Sequence, residues 1–97
     1  MINIQINNLE ESIRRLCLIA PLDRPFIVRR RKMQNYYGSC GLVKGVFIIT
    51  IASNVNKTVA IESLIHEWAH AMAWHEKKEH GPVWGVCYAR LWSDLFD

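Results

Sequence analysis

The segment from about Lys57 to Glu76 constrains the fold of this 97-residue chain more than any other part of the sequence. Its apolar residues recur at the spacing of one buried face of an α-helix. They are Ile61, Leu64, Ile65, Trp68 and Met72. Asn56 and Thr58 are alternative caps for its start, and Gly81-Pro82 separates it from the next element. We therefore expect one long helix that packs its apolar face, including Trp68, into the core.

A further helix is expected at each end of the chain. Apolar spacings of three and four predict an amphipathic helix that begins after Asn7 or Asn8 and ends before Pro21. A final helix from Pro82 to about Phe96 carries a second stripe at related spacing. The members of that stripe are Val83, Val86, Cys87, Arg90, Leu91 and Leu95.

Three strands are expected between the first helix and the long one. They cover residues 26–32, 36–43 and 46–52. Lys44-Gly45 is a tight-turn signal, so the last two strands are expected to form a hairpin. The chain is therefore expected to fold as a single α+β domain over residues 1–97, with a small three-stranded antiparallel sheet between the N-terminal helix and the two later helices.

Composition excludes several other classes of protein. Apolar residues make up 51% and charged residues 22%, which excludes a disordered chain and a coiled-coil rod. No apolar run approaches the roughly 20 residues of a membrane-spanning helix, and the N-terminus has no signal-peptide pattern. Cys17, Cys40 and Cys87 cannot form a disulfide framework, so we expect small buried side chains in a reducing compartment. We expect a cytoplasmic protein without a membrane partner, of the minimal size that a phage or mobile element encodes.

Charge is distributed unevenly along the chain. Residues 1–44 carry eight Lys and Arg against three acidic residues, whereas residues 45–97 carry four basic and six acidic ones. The candidate nucleic-acid contacts are Arg29, Arg30, Arg31 and Lys32. On a strand these side chains alternate between two faces, which divides the charge. The pattern therefore fits contact with DNA and equally fits a strand edge that is guarded by solvated charges.

The long helix contains the sequence His66-Glu67-Trp68-Ala69-His70, an HExxH motif. Side chains at positions i and i+4 lie one turn apart on the same face, so His66 and His70 can share one zinc ion. Glu67 lies about 100° around the helix from His66 and is unsuited to join them as a ligand. It is placed instead to take a proton from a zinc-activated water and to pass it to a leaving amine.

A catalytic zinc site needs a third protein ligand, and the sequence offers three candidates. His80 is favoured because it directly precedes the Gly81-Pro82 break, where a reversing chain can return to the site. His75 would be rotated about 140° away from His70 on a continuing helix, and it would reach the metal only if the helix ended early. Asp94, on the final helix, is the most distant alternative.

Together with the spacer and His80-Gly81-Pro82-Val83-Trp84, the motif resembles the SprT-like zinc metallopeptidases, which include the Spartan proteases. In that family HExxH is followed by a third histidine in an HGPxF or HGPxW-like segment that opens the next helix. The resemblance covers roughly residues 5–97. It implies one zinc ion per chain, held by His66, His70 and His80, with Glu67 as the general base. It also implies hydrolysis of peptide bonds, with proteins attached to DNA as the expected substrates.

The chain departs from the family in one respect. Family members commonly carry a zinc ribbon or another DNA- or partner-binding segment after the protease core. No C-terminal zinc ribbon is expected here, because the chain ends at Asp97 and its three cysteines cannot supply a four-cysteine site. The alternative to a peptidase is therefore a non-catalytic zinc module that binds DNA or protein, and a third alternative is a fold without a metal.

Aromatic residues around the motif are candidates for the walls of a substrate cleft. Trp74 and Trp84 flank the expected metal site on either side of His80. Four further residues have side chains that can stabilise an oxyanion, and the sequence does not select among them. They are Tyr36, Tyr37, Tyr88 and Arg90.

Overall fold

The computed structural model describes residues 8–96, which form three helices and one three-stranded sheet and confirm the expected α+β class. In chain order the elements are α1 (Leu9–Ile19), β1 (Phe26–Arg31), β2 (Gly38–Val43), β3 (Val46–Ala52), α2 (Lys57–Met72) and α3 (Pro82–Phe96). Strand β1 ends one residue before the expected Lys32, and β2 begins at Gly38 instead of Tyr36. Among these described residues, no helix is both long and apolar enough to cross a membrane.

The sheet is mixed, so the expectation of an antiparallel sheet is wrong. Strands β2 and β3 form the expected antiparallel hairpin, whose turn residues Lys44 and Gly45 both have positive φ angles, of 50° and 79°. Strand β1, however, pairs with β3 in parallel, which gives the order β1-β3-β2. The most apolar strand, β3, thereby has both edges paired, while the arginine-rich β1 forms one edge of the sheet.

Helix α1 begins at one of its two expected caps. The Asn8 side chain accepts a hydrogen bond from the Glu11 backbone N–H at 2.7 Å, and the alternative cap, Asn7, lies outside the described residues. Leu16 is fully buried, but Cys17 is exposed. The expectation that all the cysteines are buried is therefore wrong for Cys17, whereas Cys40 and Cys87 are half-buried.

Helix α2 supplies the centre of the core. Its cap is Asn56, which accepts a hydrogen bond from the Val59 backbone N–H at 2.9 Å. Trp68 is fully buried as expected, and its indole N–H donates to the Ala20 carbonyl at 2.9 Å. Met72 is 40% exposed, contrary to expectation, because α2 ends at this residue and not near Glu76.

Helix α3 is rotated relative to its expected orientation. Leu91 and Leu95 are buried as expected, but Val83 and Val86 are more than half exposed and Arg90 is exposed. The inward positions towards the N-terminal end of α3 are taken by Trp84 and Tyr88, which pack against the core cluster. Two large aromatic rings bury more apolar surface than two valines do, which favours this rotation.

Candidate metal centre and its cleft

Three histidine side chains converge at one end of α2. His66 and His70 lie one turn apart, and their Nε2 atoms are 3.2 Å from each other. The Nε2 atom of His80 lies 3.0 Å from that of His70 and 3.1 Å from that of His66. Nitrogen ligands of a tetrahedral zinc ion, each at about 2.0–2.1 Å from it, are separated by about 3.3 Å. The triangle therefore matches the donor set and nearly the spacing of such a site, and the group can bind a metal ion.

The protonation states of these histidines suit metal binding. Burial, together with the smaller effects of the neighbouring His70 and His80, lowers the pKa of His66 to about 4. Burial, followed by the proximity of His80, also lowers the pKa of His70. Both imidazoles are therefore neutral near pH 7, which is the form that coordinates a metal.

The segment that follows α2 brings His80 to the other two histidines. Ala73 caps the C-terminal end of α2, and its backbone N–H still donates to the Ala69 carbonyl at 3.0 Å. The chain then turns back, and His80 has a positive φ angle of 54°, which is uncommon for a residue with a side chain. Helix α2 does end early, which is the condition under which His75 could have reached the metal. His75 is nevertheless exposed and lies outside the histidine group. Asp94 is also exposed and also lies outside it.

Glu76 provides the cap of α3 that the local sequence lacks. Gly81, which precedes the first helical residue, has no side chain to accept hydrogen bonds. The Glu76 carboxylate takes this role, since Oε2 accepts from the Val83 backbone N–H and Oε1 from the Trp84 backbone N–H, both at 2.9 Å. A Cβ atom at Gly81 would lie only 2.6 Å from Glu76 Oε2, so this close approach requires glycine.

Trp84 lies against the histidine group. Its ring centroid lies 5.0 Å from that of His66 and 4.6 Å from that of His80. Its indole N–H donates to the His66 backbone carbonyl at 3.3 Å, and its ring stacks on that of Tyr88 at a centroid distance of 4.8 Å. Trp84 thus connects α3 directly to the backbone of the HExxH turn.

Glu67 lies beside the histidines and is packed against β2. Its side chain is only 7% exposed, and burial raises its pKa to about 7, with a smaller contribution from the charge of Glu79. A Cβ atom at Gly38 would lie 3.1 Å from Glu67 Cγ and 3.2 Å from Oε2. The absence of a side chain at Gly38 therefore gives the Glu67 side chain its space.

These groups line a cavity of about 550 Å³. One wall is the α2 turn with Glu67, a second is the start of β2 from Gly38 to Cys40, and the third is the segment after α2 together with α3. Both predicted cleft residues, Trp74 and Trp84, line it. Burial, with a smaller effect from the Glu67 charge, raises the pKa of Cys40 to about 12. The Cys40 thiol is therefore protonated near neutral pH and is not a candidate nucleophile.

A second cavity, of about 360 Å³, is also lined by His66 and Glu67. Tyr36 lines both cavities, whereas Tyr37 and Tyr88 line only the second. Arg90 lines neither of them. Of the four candidates for stabilising an oxyanion, the three tyrosines therefore lie at the cleft and Arg90 does not.

The basic cluster lies away from this cleft. Arg29, Arg30, Arg31 and Lys32 are all exposed, and none of them lines either cavity. The Arg29 Nε–H donates to the Thr50 hydroxyl at 2.9 Å, and the Arg30 guanidinium donates to the Ala52 carbonyl at 2.8 Å. The cluster lies on edge strand β1 and just beyond it, and β2, which borders the cleft, forms the opposite edge. Contact of these residues with nucleic acid stays a prediction.

Two residues at the site were missed by reasoning from the sequence. Gly38 lies within an expected strand, and no local signal shows that Glu67 packs against it. Glu76 was treated as the end of α2. A signal for its actual role exists, because Gly81 at the start of α3 leaves the first backbone N–H groups of that helix without a side-chain acceptor.

Comparisons with protein-family models and with curated proteins found no match. The chain is similar in structure to the metallopeptidase zymogen abylysin of Pyrococcus abyssi, with a TM-score of 0.60 and 19% sequence identity. The similarity covers 84% of this chain and 75% of that one. This chain therefore has a metallopeptidase-like fold, in which three histidines form a group that can bind a metal ion.

Proposed function

We propose that this protein is a zinc-dependent endopeptidase of the SprT-like type. The observation that carries the proposal is the placement of Glu67 beside the triangle of His66, His70 and His80, since all four residues line one cavity. The metallopeptidase-like fold supports the same reaction class. An all-imidazole set of three ligands is typical of catalytic zinc sites that keep one position open.

Metal binding and proton transfer would be carried out by different residues of the chain. His66, His70 and His80 would hold the ion, and bound zinc supplies a Lewis acid that polarises a carbonyl and lowers the pKa of water. Glu67 would accept a proton from the attacking water and donate it to the leaving amine.

A peptide is the substrate that the walls of the cleft favour. Strand β2 is an edge strand, and within residues 8–96 no other strand pairs with its outer edge. Residues 38–40 of this strand also line the cavity that contains Glu67. An extended peptide could form backbone hydrogen bonds along this edge and so present a carbonyl group to the site. The two cavities that adjoin His66 and Glu67 leave room for the chain on both sides of that carbonyl.

The resemblance to Spartan-type proteases extends the proposal to proteins associated with DNA, with the basic residues of β1 as the contacts for DNA. The alternative function is a zinc module that binds DNA or protein without catalysis. A structural zinc ion usually has four protein ligands. Asp94, the acidic residue of α3 that could supply a fourth ligand to a structural ion, lies outside the histidine group. The buried Glu67 beside an open cavity favours catalysis.

The test combines metal content with proteolysis. Purified wild-type protein is expected to contain about one zinc ion per chain and to cleave casein or histones. Glu67→Gln is expected to retain the zinc and to lose about 10²–10⁴-fold in cleavage rate, because it removes the general base. Zinc binding without any cleavage, with or without DNA, would favour the binding module, and wild-type protein without zinc would overturn both functions.

A further inference from the structure

We propose that Glu76 is a positioning residue that holds His80 at the metal site by capping α3. The proposal rests on the proposed function only in taking His80 as a metal ligand. Glu76 itself does not belong to the histidine group, and its carboxylate is engaged by α3. It would act on the metal through the backbone that carries His80.

His80 needs such support because its backbone lies outside the helices. It lies in an exposed stretch, residues 77–80, whereas His66 and His70 are carried by a helix that is buried in the core. Its backbone also adopts the left-handed conformation, at a φ angle of 54°. This conformation is uncommon for a residue with a side chain, although histidine adopts it more often than most, so the closed loop around His80 helps to hold it.

Glu76 closes the loop that contains His80 in its left-handed conformation. Its backbone N–H donates to the Ala73 carbonyl at 2.9 Å, which connects it to the end of α2. Its carboxylate accepts from the N–H groups of Val83 and Trp84, which connects it to the start of α3. Residues 77–82 thus lie between Glu76, whose backbone is attached to the end of α2, and the start of α3, to which its side chain is attached, and His80 lies within them.

The contacts of Gly81 and Lys78 support this positioning role of the cap. The Gly81 N–H donates to the Lys78 carbonyl at 3.1 Å, which tightens the loop just before the cap. Any Cβ atom at Gly81 would meet the Glu76 carboxylate at 2.6–2.7 Å and the Lys78 carbonyl at 2.9 Å. Gly81→Ala should therefore displace the same carboxylate that Glu76→Ala removes.

Zinc affinity and amide hydrogen exchange together test the proposal. Glu76→Ala is expected to weaken zinc binding 10–100-fold, as measured by competition with a chromophoric chelator, because residues that orient metal ligands have effects of this size. In the zinc-free protein, the same variant is expected to lose protection of the Val83 and Trp84 amides. Gly81→Ala should reproduce both effects, and Glu76→Gln, which keeps one carbonyl acceptor, should fall between Glu76→Ala and the wild type.

Glu79→Gln is the matched control for charge. Glu79 is close enough for its charge to affect His66, His70 and Glu67, but it makes no hydrogen bond to the start of α3 among those that the structure gives. Its substitution is expected to change zinc affinity by less than about threefold, and to leave the two amides protected. An equal loss of affinity in Glu79→Gln would show that charge, and not the cap, supports the metal, and would overturn the proposal.

The remaining outcomes separate this proposal from the proposed function. Unchanged zinc affinity in Glu76→Ala, or amides that stay protected in it, would overturn the positioning role while the peptidase stands. Zinc affinity is measured without any substrate, so a wild-type protein that binds zinc but cleaves nothing would overturn the peptidase alone. A wild-type protein that does not bind zinc would overturn both.

Discussion

Helix α2 and the segment of residues 73–81 contribute to the same histidine group in very different ways. The helix is buried over most of its length and presents His66 and His70 from consecutive turns. The segment exposes residues 77–80, and beyond Trp74 its hydrogen bonds include those of Glu76 and of the Gly81 N–H. Two of the proposed ligands are therefore preformed by a rigid element, whereas the third depends on a loop that a single carboxylate closes.

This difference indicates where binding of a metal would have its largest structural effect. Ligands on α2 need no reorganisation, because the helix is fixed by core packing around Trp68. Ordering of the loop costs conformational entropy that the cap and the metal would have to offset together. The following predictions test this division, starting with the largest expected effect.

The loop ligand can be removed without disturbing the helix. His80→Ala is expected to weaken zinc binding by more than the 10–100-fold that the loss of a supporting residue costs, because a direct ligand is lost. His75→Ala is the matched control, since His75 is exposed in the same segment and lies outside the histidine group. Zinc dissociation constants of the two variants provide the comparison. Weaker zinc binding in His75→Ala than in His80→Ala would show that His75, and not His80, is the third ligand.

A substitution in β2 can displace Glu67, which is carried by α2. Gly38→Ala would place a methyl group 3.1 Å from Glu67 Cγ, so we expect the carboxylate to shift and kcat to fall by up to about 10²-fold, with zinc affinity retained. Gly41→Ala is the matched control on the same strand, because no atom lies within 4 Å of a Cβ there. Equal kcat values for the two variants would contradict the role that the structure gives to Gly38.

The burial of Glu67 predicts a dependence of stability on pH in the zinc-free protein. Its pKa is raised to about 7, so the native state binds more protons than the unfolded state between about pH 4.5 and 7, and this group makes stability fall as pH rises. The lowered pKa of His66, about 4, acts in the opposite direction between about pH 4 and 6.5. The two effects partly cancel in the wild type.

Glu67→Gln separates these two effects. In metal-stripped protein at pH 8, it is expected to increase the free energy of unfolding by on the order of 1–3 kcal/mol, because it removes a buried charge. At pH 4, where the carboxyl group is protonated in both states, the gain should vanish. Urea unfolding at the two pH values measures the difference. A gain of equal size at pH 4 would show that the stabilisation does not come from the carboxylate charge.

Local patterns in the sequence were sufficient for the elements themselves. The apolar spacing of α2 predicted the burial of Trp68, and a spacing of four predicted that His66 and His70 share a face. Lys44-Gly45 predicted the hairpin of β2 and β3, and Pro82 predicted the start of α3. Each of these signals acts between residues that are close in the chain, where backbone geometry alone relates side chains to one another.

Tertiary structure decided the features that depend on residues far apart in the chain. Strand β3 lies between β1 and β2 because its apolar side chains are best covered there, and no turn signal encodes that order. Packing turned α3 so that Trp84, and not Val83, contacts the histidines. The sequence by itself thus determined the HExxH turn and its helix. Only the folded chain could decide what surrounds that turn, because the contacts of Gly38 with Glu67 and of Glu76 with α3 are set by packing and not by spacing.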